Sequence, residues 1–145
     1  MKPSQKMIDE ETGRYLPVIY PEELPYWKGA KKRELWLQRC TDCGKTLYPI
    51  GPACPRCLSV NLQWTRMSGK GKLHNYVVYH KPWTPWFKDK VPYAVVQVEL
   101  EEGPRLTTNL LDCPIDDIKI GMPVEVDYED IPDGITLVQF RPAQE

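Results

Sequence analysis

The chain has 145 residues, 41% of them hydrophobic, which suits one ordinary domain or two small ones and excludes a disordered protein. Its net charge of -1 excludes a global field that would hold it on a nucleic-acid backbone or an anionic membrane. No stretch has the roughly 18 apolar residues of a membrane span, and residues 1–20 lack the apolar core of a signal peptide. The sequence therefore predicts a cytoplasmic protein without a membrane partner.

Residues 1–34 are predicted to form a loosely ordered lead-in, 1–20, and then a short helix. Pro21 suits the first helical position, and Glu22 and Glu23 suit the first turn because they favour the positive end of the helix dipole. The apolar side of the helix includes Tyr26 and Trp27 and is too small to form a core alone. These side chains pack either on the body of the protein or on a partner, and both alternatives stay open.

Residues 35–66 contain two CxxC motifs, which predict a zinc ribbon. Cys40 and Cys43 form the first pair, Cys54 and Cys57 the second, and ten residues separate the pairs. A CxxC turn places two thiolates on the same side of the chain, so two such turns supply the four tetrahedral ligands that zinc prefers. Gly44 follows the first pair and allows a positive φ there.

Other uses of the four cysteines remain as alternatives. A reducing cytosol disfavours two disulfides, and no βαβ pattern supports a thioredoxin-like redox pair. Iron in a rubredoxin-like site is possible because the same four thiolates accept it. Zinc is the preferred interpretation, and its role is structural because four cysteines leave no open position for water.

Residues 67–145 are predicted to form a small barrel of five strands. Alternating or β-branched runs mark the strands at 73–80, 93–100, 105–111, 124–129 and 136–140, and residues 115–118 suggest one helical turn. The fold class is therefore mainly β: a short N-terminal helix, a rubredoxin-like zinc ribbon and a five-stranded OB-fold barrel. An SH3-like barrel is the alternative.

A long loop, 81–92, joins the first two barrel strands and predicts a contact surface. It contains three prolines and three large aromatic side chains, and large aromatic residues on a stiff loop are typical of interface hot spots. The aromatic residues are Trp83, Trp86 and Phe87. The alternative is a lid that folds back over the open end of the barrel. The loop also offers Lys81, Lys88 and Lys90 to phosphate groups, as Arg56 does in the zinc ribbon.

Catalytic groups are scarce in this sequence. His74 and His80 are the two histidines, and their spacing predicts the same strand face at a separation of roughly 20 Å, too far for one proton transfer. No nucleophile, phosphate-binding or metalloprotease motif is present. Cys113 is expected to be a small apolar residue that is buried or partly buried. The chain is therefore not expected to be an enzyme on its own.

Several motifs in order resemble one family. They are Cys40-x-x-Cys43-Gly44, Cys54-Pro55-x-Cys57, Ser68-Gly69-x-Gly71, Pro92-Tyr93-Ala94-Val95-Val96 and Ile120-Gly121-Met122. The chain from about residue 21 to 142 resembles the acyl-CoA-associated family that joins a rubredoxin-like zinc ribbon to an OB-fold. This family includes the small zinc-finger subunits of thiolase complexes such as benzoylsuccinyl-CoA thiolase.

The resemblance implies a non-catalytic accessory subunit that docks on a thiolase-fold enzyme and helps to shape its CoA-ester site. It implies that Tyr26, Trp27 and the loop aromatics contact the partner, and that Arg56 and the loop lysines contact CoA phosphates. A single-stranded nucleic-acid binder is the alternative, since OB-folds also serve that function, but the balanced charge disfavours it. A self-contained acyl-CoA carrier or hydratase-like enzyme ranks lowest.

Overall fold

The computed structural model describes residues 6–144, which form a short helix and two antiparallel sheets. The helix α1 spans Leu24–Lys31. The strands are β1 (Trp36–Cys40), β2 (Thr46–Leu47), β3 (Leu62–Arg66), β4 (Lys70–Tyr79), β5 (Tyr93–Leu100), β6 (Arg105–Asn109), β7 (Pro123–Ile131) and β8 (Ile135–Pro142). The mainly β fold class predicted from the sequence is confirmed.

Residues 6–20 of the lead-in are described, and residues 1–5 lie outside the described part. Ile8 pairs with Tyr15, and the backbone N–H of Asp9 donates to the carbonyl of Arg14 at 2.8 Å. Leu16 is 6% exposed and packs with Ile131 and Ile135 of the barrel. The lead-in therefore lies as a small hairpin against the barrel instead of extending freely.

A 3₁₀ turn, Pro21–Glu23, leads directly into α1, as the proline and the acidic first turn predicted. Ala30 is fully buried in the main core. Gly29 allows the helix to meet Trp36, because a Cβ at this position would lie 2.4 Å from the indole Cδ1. Within the described residues, no helix combines the length and the apolar character that a membrane span requires.

The first sheet has the strand order β2-β1-β3 and contains the cysteine segment. In this sheet Gln38 pairs with Leu47 on one side and with Trp64 on the other. Leu37 of β1, and Leu35 just before the start of β1, belong to the same buried cluster as the barrel residues. The predicted domain boundary between the zinc ribbon, 35–66, and the barrel, 67–145, stays a prediction. The hydrophobic core is continuous across this boundary.

The second sheet has the order β6-β5-β4-β7-β8 and closes into a barrel. A parallel bridge between Leu110 and Phe140 joins its two edges, where the N–H of Leu111 donates to the Phe140 carbonyl at 2.7 Å. Phe140 is fully buried at the centre. This closure, with the first barrel strand between the second and the fourth, is the OB-fold topology that the sequence predicted.

A β-bulge at His74 changes which face of β4 points inward. The pairing with β5 shifts between Leu73 and Asn75. Leu73 is buried before the bulge, whereas Val77 is 53% exposed after it, because one extra residue reverses the alternation. The expectation that His74 and His80 share one face of a regular strand is therefore wrong: His74 is the bulged residue and His80 follows the end of β4.

Candidate functional site

The two cysteine turns are built in the same way. Each begins at its first cysteine, whose carbonyl accepts the N–H of the residue after the second cysteine: Gly44 to Cys40 and Leu58 to Cys54, both at 2.8 Å. The N–H of each first cysteine is also bonded, to the carbonyls of Lys45 and Ser59 respectively, at 2.8 Å. These paired bonds reverse the chain tightly, so both sulfurs of a turn face the same point.

The four sulfurs lie within 4.8 Å of one another. The distances Cys40 Sγ to Cys57 Sγ and Cys43 Sγ to Cys54 Sγ are both 3.6 Å. These separations exceed the roughly 2.05 Å of a disulfide. They approach the roughly 3.8 Å between two ligands of a tetrahedral ion with metal–sulfur bonds of about 2.3 Å. The cysteines are thus positioned to bind one metal ion.

The thiols ionise unequally because they share one site. The backbone N–H of Cys43, with that of Asp42, lowers the pKa of Cys40 to about 7, although burial opposes this. The Ser59 N–H lowers the pKa of Cys57, but burial and the three neighbouring sulfurs raise it to about 12. Four thiolates therefore require a cation in their midst, and metal binding releases protons.

The site is buried on one side and open on the other, because Cys57 is exposed and Cys43 is half-buried. Cys40 and Cys54 are fully buried, and Leu47 and Leu62 pack against them. A polar cluster outside the site joins the two turns: Asn61 Nδ2 donates to Asp42 Oδ2 at 3.0 Å, and Ser59 Oγ donates to the same oxygen. Such a site suits a structural zinc ion, which stabilises the fold and leaves no coordination position for a substrate.

Tyr26 and Trp27, two residues expected at a partner interface, both lie half-buried against the body of the protein. Tyr26 packs against the main core, and Trp27 packs against the Leu16 cluster. Their rings meet edge to face at 5.1 Å, and Trp27 Nε1 donates to Glu23 Oε2 at 3.2 Å. Of the two alternatives left open for this helix, the structure shows packing on the chain itself.

The contact loop, residues 81–92, is partly folded onto the barrel. Phe87 stacks on Tyr93 with ring centres 4.3 Å apart, and Trp86 lies beneath the Arg14 guanidinium, whose Cζ is 4.6 Å from the ring centre. Trp83 is 67% exposed. The lid interpretation therefore fits Trp86 and Phe87, while Trp83 is the aromatic side chain of this loop that is exposed to solvent.

The four basic residues expected at CoA phosphates do not form one cluster. Lys90 Nζ lies 3.6 Å from the Trp86 ring centre, and Lys81 Nζ lies 4.3 Å from that of Trp83. Arg56 is exposed in the zinc ribbon. Its neighbour Pro55 lines a groove together with Arg105, which lies near the end of β5 that is farther from the contact loop. The strand between these two ends has a length of roughly 20 Å. One phosphate group therefore does not contact Arg56 and the loop lysines together.

Sequence reasoning did not identify Arg14 and Gln139, which line the same cavity beneath the contact loop. Arg14 Nη2 donates to Glu129 Oε1 at 2.7 Å, across 115 positions of the chain. Gln139 is 4% exposed in β8. Both residues, with the half-buried Cys113, line one cavity. Burial raises the pKa of the Cys113 thiol, which keeps it protonated and consistent with the expected apolar role.

Comparisons with known proteins match both parts of the chain. Residues 27–63 match the rubredoxin-like zinc ribbon domain of ChsH2, and residues 64–129 match the ChsH2 C-terminal OB-fold domain. The chain is 37% identical over 126 residues to a DUF35 domain-containing scaffold protein of Methanothermobacter thermautotrophicus, covering 83% of this chain and 94% of that protein.

Two further relatives carry enzyme names. The chain is 41% identical over 127 residues to a probable enoyl-CoA hydratase alpha subunit of Thermomonospora curvata, covering 88% of this chain but only 39% of that subunit. The solved structure of the Ltp2-ChsH2(DUF35) aldolase contains a chain that is 40% identical, with a TM-score of 0.79, covering 89% of this chain and all of that one. The protein thus belongs to the ChsH2/DUF35 family of zinc ribbon and OB-fold proteins.

Proposed function

We propose that this protein is a non-catalytic, zinc-binding accessory subunit of a thiolase-fold acyl-CoA enzyme. The observation that carries the proposal is that this chain aligns with two relatives over nearly their whole length. It aligns with 94% of a relative named a scaffold protein, and with all of a chain in the solved structure of an aldolase. It spans about two fifths of a hydratase alpha subunit, so in that relative the shared part is one region of a longer protein. Acyl-CoA chemistry in a relative's name supports a CoA-ester substrate for the partner.

Zinc in this proposal is held by Cys40, Cys43, Cys54 and Cys57. The ion supplies the positive charge that lets the crowded thiols ionise, and it links the two turns without opening to substrate. Because Leu37 of the same sheet and the preceding Leu35 belong to the barrel core, zinc also fixes the ribbon against the barrel. The chain thereby presents a rigid surface, while the catalytic groups belong to the partner.

Docking is assigned to the exposed apolar surface beside the contact loop. Trp83 is 67% exposed, and Val77 and Tyr79 are 53% and 38% exposed on the neighbouring β4. Trp86 and Phe87 hold the loop to the barrel, so Trp83 is presented on a preorganised segment. A large aromatic side chain in this setting is typical of an interface hot spot, worth roughly 2 kcal/mol or more.

Co-expression with a candidate thiolase-fold enzyme from the same organism tests the proposal. We expect one complex on size-exclusion chromatography, and we expect Trp83→Ala to weaken it at least tenfold without lowering the unfolding temperature. Ile120→Ala is the control, because Ile120 is 66% exposed on another loop. A chain that elutes as a free monomer and leaves acyl-CoA turnover unchanged would contradict the assignment.

A further inference from the structure

The lead-in, residues 6–20, lies against the contact loop and belongs to neither of the two matched domains. A Cβ built at Gly13 would lie 3.5 Å from the Pro85 Cβ and 3.9 Å from the backbone nitrogen of Trp86. Leu16, a little further along, is buried with Ile131 and its cluster, which anchors the lead-in to the barrel. The lead-in therefore reaches the contact loop from a fixed position.

Arg14 connects three parts of the chain through one side chain. Its Cζ lies 4.6 Å from the ring centre of Trp86, and its Nη2 donates to Glu129 Oε1 at 2.7 Å. The Arg14 side chain is 17% exposed, whereas the arginines of the other ion pairs in the described chain are 39–60% exposed. Partial burial reduces screening by solvent, so this ion pair is stronger than an exposed one. A planar guanidinium can stack on a ring and pair with a carboxylate at the same time.

The other ring contacts of the loop within the described chain are local. Lys90 Nζ lies 3.6 Å from the Trp86 ring centre and donates to the Trp86 carbonyl at 3.1 Å. Phe87 stacks on Tyr93, the first residue of β5. These contacts fold the loop on itself and attach it to β5. Arg14 connects it instead to Glu129 on β7, and β4 separates β7 from β5 in the sheet. A second attachment at a different strand fixes the orientation of the loop, which one attachment leaves free.

We propose that Arg14 is a positioning residue for docking: it fixes the contact loop against β7 and so sets the orientation in which Trp83 meets the partner subunit. The docking part of this inference rests on the proposed function. Trp83 is 67% exposed, whereas Arg14 lies beneath the loop and acts through Trp86. A loop that is already held in its binding orientation loses less conformational freedom on association, which raises affinity without a new contact.

Hydrogen exchange in the full zinc-loaded chain tests the hold on the loop without any partner. The N–H groups of Phe87 and Lys90 are bonded within the loop, so their exchange reports its opening. We expect Arg14→Gln to speed exchange in residues 81–92 about fivefold or more, because the ring contact and the ion pair are both lost. Arg14→Lys should fall between wild type and Arg14→Gln, because lysine keeps the charge but not the planar group.

Arg33→Gln is the matched control. Arg33 also pairs with a carboxylate of β7, Asp130 at 2.8 Å, and its Cζ lies 5.8 Å from the Tyr128 ring centre, but these partners are outside the contact loop. Both glutamine variants lose one ion pair and one ring contact, so a general effect on stability would appear in both. Exchange in residues 81–92 should be faster in Arg14→Gln and unchanged in Arg33→Gln.

Affinity for the partner completes the test. Arg14→Gln should weaken the complex about fivefold, and Arg33→Gln should leave it unchanged. Equal loop exchange in wild type and Arg14→Gln would overturn the inference, even if the partner docks. Faster exchange without loss of affinity would also overturn it, for a partner that Trp83→Ala releases. A chain that docks on no thiolase-fold enzyme contradicts the proposed function instead, and the exchange measurement still decides whether Arg14 fixes the loop.

Discussion

Gly44 and Leu58 occupy equivalent positions in the two cysteine turns, and both have a left-handed backbone, with φ of 78° and 64°. The left-handed region costs a non-glycine residue about 1–2 kcal/mol. The Leu58 side chain is 79% exposed, so packing does not offset this cost. The second turn therefore stores strain that the first turn avoids.

Leu58→Gly is expected to be more stable than Leu58→Ala by about 1 kcal/mol, because glycine relieves the left-handed strain and alanine does not. The measurement is denaturant unfolding at a fixed concentration of free zinc. Leu58→Ala is the control for losing the exposed side chain. Equal stability of the two variants would show that the backbone at residue 58 is not strained.

Gly71→Ala is expected to destabilise the barrel by about 2 kcal/mol. A Cβ at residue 71 would lie 2.5 Å from the backbone carbonyl oxygen of Glu99, which the β4–β5 pairing holds in place. Overpacking against a fixed neighbour costs about 1–3 kcal/mol. Gly51→Ala, where the nearest atom is 4.0 Å away, should stay within about 0.5 kcal/mol. Thermal unfolding of both variants makes the comparison, and similar losses would contradict the predicted contact.

Tyr26 is expected to make the free energy of unfolding fall as the pH rises through the alkaline range. Burial, followed by the charges of Tyr48 and Tyr128, raises the pKa of Tyr26 far above its ordinary value. A raised folded-state pKa means that the phenol contributes stability below the unfolded pKa of about 10, and that this stability is lost as the pH rises above it. Tyr26→Phe should therefore lose less stability than wild type between pH 9 and 11.5 in denaturant titrations. Parallel curves would contradict the burial effect.

Much of the fold follows from local patterns in the sequence. Alternation predicts β5 because its even positions, such as Val96 and Val98, enter the core while odd positions face outward. The two CxxC motifs predict the metal centre because each turn needs only its own four residues to bring two sulfurs together. These features depend on short-range geometry, which the order of residues determines directly.

The remaining features depend on contacts between distant residues. The bulge at His74 arises from the pairing of β4 with β5, and nothing in the β4 sequence marks the extra residue. Arg14 meets Glu129 across 115 positions, so the lead-in gave no sign of packing under the contact loop. Gln139 resembles any outward polar residue of an alternating strand. Only the closed barrel shows that it is buried and that its Oε1 has no hydrogen-bond partner among the described residues.

Metal removal should unfold the zinc ribbon and weaken the barrel with it. We expect one zinc ion per chain, and we expect Cys54→Ser to weaken zinc binding beyond the roughly 10–100-fold that loss of an outer-shell partner costs. Because Leu35 and Leu37 join the ribbon to the barrel core, a chelator should lower the unfolding temperature of the whole chain. Cys113→Ser is the control, since this thiol lies outside the cluster of four. The measurements are metal analysis and thermal unfolding. A folded chain without metal would contradict the structural role. A red, iron-containing protein would identify iron in place of zinc.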